Sequence, residues 1–308
     1  MGSYSSQKTN LEGLCREALN LYRTQSENVA GKVGSVLRHL ENLENRIRQN
    51  YGLVLHDCDV LDIGVGQFPL HLQYFGRNNR VVGIDFDVIA QGFNPVQYVE
   101  MFWSNGWRRV AKTVGRKLLG IDRLYIRELK RQMNLASLPR RPILHMDACQ
   151  MDFAEATFHF VHCQSVFHHL STPARAMEEI KRVLRPGGVC FISFHLYTSE
   201  TGSLDPRVFT DRRHEAALWR HLRPRHAAAL KSNAFLNKLR LAEWRALFEQ
   251  HMAGAKMILH PSQRPGVEED AQRLKAQGEL PEYSMEELLT HNVWVFWQKP
   301  GGSPARSV

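Results

Sequence analysis

Short apolar runs separated by longer amphipathic stretches set the rhythm of this chain. Val60, Leu61 and Ile63 form the first run, Val81, Val82 and Ile84 the second, and Ile143-Leu144, Phe158–Ser165 and Val189–Phe194 three more. Runs this short and continuous suit strands buried on both faces of a parallel sheet. Two later strands are expected at Met257–Leu259 and Asn292–Trp297, the last alternating as an edge strand with one solvated face would.

Between the runs, apolar residues recur at helical spacing. Two helices are expected in residues 9–49, one carrying Leu11, Leu14, Cys15, Ala18, Leu19 and Tyr22, the other Val29, Val33, Val36, Leu37, Leu40, Leu43 and Ile47. Trp107, Val110, Val114 and Leu118 line a further helical face, and Ile121, Leu124, Tyr125, Leu129 and Met133 another. Ala174, Met177, Ile180, Val183 and Leu184 mark a helix stopped by Pro186-Gly187-Gly188. A helix from about Ala234 to Met252 would bury Leu236, Leu239, Ala242, Leu247 and Phe248, and Ser284 with Glu287 forms a capping box ahead of a short helix. Strand and helix in alternation predict an α/β fold, with a ligand crevice at the carboxyl ends of the strands.

Composition narrows the class. A chain of 308 residues with 43 % hydrophobic and 23 % charged residues reads as globular, and neither a membrane-length apolar run nor a signal-peptide core is present, so the cytoplasm is the expected location. The five cysteines are scattered and odd in number, which argues against a disulfide framework or a structural metal, and no metal is expected. Lys and Arg exceed Asp and Glu by nine, much of it between Trp107 and Arg141, where eleven basic residues face only Asp122 and Glu128. Such helices are either ordinary helices with a solvated side or a docking face for an anionic ligand or peripheral membrane surface. Met1-Gly2 with Ser6 fits a myristoylation pattern, a short match.

The candidate chemistry starts at the first strand. Gly64 and Gly66 let the backbone turn sharply and approach a ligand, Pro69 suits the first position of a helix, and Gly76, Asn78 and Asn79 break that helix before the second strand. Asp85 closes the second strand, and an acid about twenty positions past a glycine turn can hydrogen-bond ribose hydroxyls. Pro69 stands where a nicotinamide dinucleotide site prefers glycine, which lowers a dehydrogenase reading.

Asp62, Gly64, Gly66 and Asp85 together resemble motif I of the class I S-adenosylmethionine-dependent methyltransferases, with Phe68 in place of the last motif glycine. The string EEIKRVLRPGGVCFIS resembles the late motif of the same family, and His159 stands where that family commonly has aspartate. The resemblance covers residues 58 to 195, with a further match at the end of the chain.

It implies a Rossmann-like seven-stranded sheet, mostly parallel with an antiparallel last strand, in a domain spanning residues 56–300. A helical extension or lid at 1–55, a basic helical insertion at about 101–141, a helical acceptor-region insertion at about 197–253 and a disordered tail at 301–308 complete it. The implied cofactor is S-adenosylmethionine, with S-adenosylhomocysteine as product. Asp62, Gly64, Gly66, Asp85, Asp147, Ala148 and Gln164 would hold it, and His168 and His169 are candidates for a base, with packing as the plainer role. The expected acceptor is a small or lipid-linked molecule, with oxygen favoured. RNA is the leading alternative, although QSVFHHL lacks the Asn/Asp-Pro-Pro-aromatic motif of many base methyltransferases. A protein acceptor or a non-catalytic scaffold also stands open, and so does the oligomeric state.

Overall fold

The computed structural model describes residues 22–23, 26–92, 94–205, 218–227 and 234–301. The first expected N-terminal helix, the Met1-Gly2 pattern and most of the tail lie outside them. One seven-stranded sheet has the order β3-β2-β1-β4-β5-β7-β6, with β7 antiparallel to both of its neighbours. The chain forms two compact units, residues 1–148 and 149–308.

In the first unit, α1 (Val29–Tyr51) is followed by β1 (Asp59–Ile63), α2 (Leu70–Phe75) and β2 (Arg80–Asp85). Then come α3 (Pro95–Asn105), α4 (Trp107–Leu118), α5 (Ile121–Gln132) and the short β3 (Ile143–His145). β1 pairs with β2 and β2 with β3, both parallel. The expected apolar stripe of α1 holds, since Val29, Val33, Leu40, Leu43 and Ile47 are buried. Tyr74 Oη on α2 donates to Glu44 of α1 at 2.7 Å, anchoring the one helix on the other. The turn before β2 closes through Asn79, whose side chain accepts from the Cys58 amide and donates to the Leu55 and Phe75 carbonyls.

Three details depart from expectation. Pro69 immediately precedes α2 instead of opening it. The basic insertion holds a third helix, α3, whose start is fixed by Asn94 accepting from the Val96 amide at 3.1 Å. The expected stripe of α4 holds only in its middle: Val110 and Val114 are half-buried, Val110 against Val88, Ala90 and Met101, but Trp107 and Leu118 are 58 % and 74 % exposed, while Thr113 and Arg116 are buried. Arg116 turns inward because Asp122 accepts from it at 2.6 Å, Gln67 at 2.8 Å, and its guanidinium lies over the Phe68 ring. The ion pair with Asp122, with Gln67 and the Phe68 ring beside it, outweighs the exposure of Trp107 and Leu118. α5 packs as expected, with Ile121, Tyr125 and Leu129 buried against Val29 and Val33.

The second unit runs through β4 (Phe158–Gln164), a 3-10 turn at Phe167–His169, α6 (Pro173–Val183) and β5 (Leu184–His195). After it come α7 (Pro224–Ala227), α8 (Leu241–His251), β6 (Lys256–Pro261), α9 (Val267–Ala276), α10 (Met285–Leu289) and β7 (Thr290–Gln298). The Ser284–Glu287 capping box is present on α10. α6 ends at Val183, and strand pairing begins at once, because Gly187 and Gly188 exchange backbone hydrogen bonds with Lys299.

The helix expected from Ala234 starts only at Leu241. Lys238 adopts a left-handed φ of 60°, and the Asn237 side chain donates to the Phe167 and Leu170 carbonyls, which holds the segment out of a helix. Ala242 is exposed, and the core positions of α8 are Leu241, Trp244 and Phe248. β7 is not an edge strand: β5 flanks it on one side and β6 on the other, and Phe296 and Trp297 are both buried. Cys163 and Cys190 are fully buried, and burial pushes the Cys190 thiol up to about 12, so it packs as a small hydrophobe. No helix among the described residues is long and apolar enough to cross a membrane.

Candidate functional site

The residues singled out by sequence fall at the carboxyl ends of their strands. Asp62 is the penultimate residue of β1, Asp85 the last of β2 and Gln164 the last of β4, while Asp147 and Ala148 follow β3. In open α/β sheets this edge is where ligands bind.

In the first unit a polar cradle surrounds the glycine turn. Gly64 and Gly66 have φ of 77° and 67°, left-handed values that side chains resist. The Gly64 amide donates to the Ile84 carbonyl at 2.8 Å, closing the turn onto β2. The Gly66 amide donates to Asp85 Oδ2 at 2.8 Å, and the Asp87 amide to Asp85 Oδ1 at 2.9 Å. A Cβ built on Gly66 meets nothing within 4 Å, so open space lies beside the turn.

Burial pushes the Asp85 carboxyl above its usual value, and the two amide hydrogen bonds work against that rise. With one amide on each oxygen, Asp85 retains lone pairs for further donors.

A second layer supports the first. Asn105 at the end of α3 donates to Asp87 Oδ1 at 2.6 Å and accepts from the Val88 amide at 2.9 Å, while Arg109 of α4 pairs with Asp87. The inserted helices thus brace the loop after β2. Phe68, in the position of the last motif glycine, stacks on Tyr125 with ring centroids 4.2 Å apart, within the cluster of α1 and α5. Asp62 is 1 % exposed, Asp147 is exposed and Ala148 is buried.

In the second unit, the end of β4 leads through Ser165, at a left-handed φ of 60°, into the 3-10 turn that carries His168 and His169. Gln164 Oε1 is enclosed with no hydrogen-bond partner among the described residues. Asn237 clamps the turn, its amide donating to the His168 carbonyl at 3.0 Å while its side chain holds Phe167 and Leu170. His169 Nδ1 lies 2.8 Å from the Phe235 carbonyl, which can only accept. Nδ1 therefore carries the proton, and Nε2 of the neutral ring presents a lone pair.

His168 is 3 % exposed, and neither ring nitrogen has a partner among the described residues. Burial, reinforced by His169 and His195, lowers its pKa to about 2. Its ring lies 4.0 Å from that of His169 and 5.6 Å from that of His195.

His195 continues the row to His291 at 4.9 Å, and His291 Nδ1 is 3.6 Å from Glu200, which also accepts from Ser262. Burial lowers the His195 pKa to about 4. His195, His291 and Glu200 were not singled out from the sequence. His195 is the last residue of β5, so the rule that ligands gather at carboxyl ends of strands would have found it. His159, in place of the family aspartate, has Nε2 2.8 Å from Arg185.

Residues 106–192 match the family model described as a methyltransferase domain. A comparison with curated proteins returned no match. Among solved structures, phosphoethanolamine N-methyltransferase 2 of Haemonchus contortus, in complex with S-adenosyl-L-methionine, is 15% identical over 84% of this chain and 52% of that chain, with a TM-score of 0.43. An S-adenosylmethionine-dependent methyltransferase of Methanosarcina mazei is 14% identical over 83% and 98% respectively, with a TM-score of 0.43. The [4+2]-cyclase SpnF is 17% identical over 85% and 81%, with a TM-score of 0.39.

Proposed function

We propose that this chain is a class I S-adenosylmethionine-dependent methyltransferase that transfers the methyl group to a small-molecule or lipid-linked acceptor through oxygen. The observation that carries the reading is the cradle itself: two left-handed glycines, open space beside Gly66, and Asp85 held in place by the amides of Gly66 and Asp87. When bound, the cofactor supplies an activated methyl group on a sulfonium, and the leaving product is S-adenosylhomocysteine. Asp85 would accept from ribose hydroxyls, and Asp147 with Ala148 would border the adenine. Asp62 Oδ2 in the first unit offers a further acceptor.

The work left to the protein is alignment and removal of one proton. Orientation of the acceptor contributes on the order of 7–11 kcal/mol. As the base, His169 suits the task better than His168, because its Nε2 lone pair is available while its Nδ1 proton is held by Phe235. His168 stays neutral through burial and fits a packing role that orients its neighbour.

An RNA acceptor is less well supported, since Arg109, Arg116, Lys117 and Arg131 of the basic insertion are engaged with Asp87, Asp122 and Glu128. The test is a screen of hydroxyl-bearing small molecules, amines and total RNA with isotope-labelled methyl donor. Label is expected in a base-stable ether or a base-labile methyl ester of a small acceptor. Label entering RNA alone would overturn the reading.

A further inference from the structure

A cavity of about 350 Å³ lies in the first unit between the start of α2, the loop after β2, α5 and the segment that leads into β3. This is within the range of roughly 300–1,000 Å³ typical of small-molecule sites. Asp62, Gly64, Gly66, Asp85, Asp147 and Ala148 do not line it, whereas Gln67 and Phe68 do, so it adjoins the cradle without sharing the residues proposed to hold the cofactor. Its walls are largely apolar, with Leu70, Ile89, Tyr125 and Leu138 among them, and Asp122 on the wall is paired with Arg116 and Lys117.

Two guanidinium groups stand at this apolar space. Arg123 and Arg140 both line the cavity, and neither has an ion-pair or hydrogen-bond partner among the described residues. The neighbouring cations are in a different state, since Arg116 and Lys117 are committed to Asp122 at 2.6 and 3.2 Å. Both arginines are exposed, and Arg140 Nη2 reaches the loop after β2, 3.6 Å from where a Cβ on Gly92 would be. An apolar chamber with unneutralised arginines beside it matches a ligand having an apolar body and an anionic head, because guanidinium binds carboxylate and phosphate in bidentate fashion.

We infer that this cavity, with Arg123 and Arg140, is a binding site for an amphipathic anion, a short apolar chain ending in a carboxylate or a phosphate. The site stands without the methyl-transfer reading, since no residue of the cofactor cradle takes part in it. Ligand entering it would pack against Tyr125, whose ring also stacks on Phe68, two residues beyond Gly66.

The test is isothermal titration of the full chain with octyl phosphate, octanoate, octanol and inorganic phosphate, without methyl donor. Saturable binding of octyl phosphate or octanoate is expected, at least tenfold tighter than inorganic phosphate, and the stronger of the two identifies the head group. The double variant Arg123→Ala/Arg140→Ala should weaken that binding at least tenfold while leaving octanol unchanged, and Leu138→Trp, which fills the chamber, should weaken all three octyl ligands. Both variants must melt as the wild type does; the single variants Arg123→Gln and Arg140→Gln serve if they do not. Absence of saturable octyl-anion binding, or binding that survives loss of both arginines, would overturn the inference.

Discussion

The glycine cradle of the first unit and the histidine row of the second are both enclosed polar sites, yet they are built in opposite ways. Around Gly66 the polar groups answer one another: amides meet Asp85, and Asn105 and Arg109 meet Asp87. By contrast, both ring nitrogens of His168 and Nδ1 of His195 are buried with no partner among the described residues. Buried polar groups are almost always hydrogen-bonded, because leaving one unmade costs about 1–3 kcal/mol. The first site is therefore a preformed cradle, and the second is a set of polar atoms held in place by its surroundings, above all by Asn237.

If that contrast is right, the largest effect should fall on turnover. His169→Ala is expected to lower kcat by about 10²–10⁴ with cofactor affinity unchanged, as removal of a general base does. His168→Ala should cost less turnover and more stability. Equal loss of turnover in both would erase the distinction between them.

Next in size is Asp85→Ala, which removes the acceptor of two amides and of the proposed ribose donors. A loss of about 1.5–3 kcal/mol in cofactor affinity is expected, read by equilibrium binding of S-adenosylhomocysteine. Asn237→Ala should destabilise the chain by about 1–3 kcal/mol in urea unfolding, since it frees the Phe167 and Leu170 carbonyls. An unchanged midpoint would show that the turn holds itself.

The last effect is in pH. His168 and His195 have folded pKa values near 2 and 4, below the unfolded value, so the unfolded chain binds more protons under acid conditions. Stability is then complete above about pH 6.5 and falls by about 1.4 kcal/mol per pH unit for each group as the pH drops toward the folded value. Thermal melts from pH 7 to 5 should show this, and His168→Phe should flatten the slope.

The parts of the fold legible in the sequence were those written locally. The Gly64–Gly66 turn, the strand closed by Asp85, the helix at 173–183 and the Ser284–Glu287 box each depend on neighbours a few residues away. What sequence patterning missed depends on distant partners. The ends of the apolar stripe of α4, Trp107 and Leu118, stay exposed while Arg116 turns inward to Asp122, Gln67 and Phe68, a competition that periodicity does not register. α8 starts late because Asn237 is occupied with the turn after β4. His195, His291 and Glu200 come together only through the pairing of β5 with β7 and the loop beyond β5, so nothing in their spacing announced them.

The central claim is that the turn at Gly64–Gly66 with Asp85 is a cofactor site. Calorimetric titration of S-adenosylhomocysteine into the wild type and Gly66→Val tests it most directly, because valine resists a φ of 67° and places a side chain in the open space beside the turn. Saturable binding of one molecule per chain by the wild type, lost in a variant that melts normally, is the predicted result. Undiminished binding by Gly66→Val, or none by the folded wild type, would contradict it.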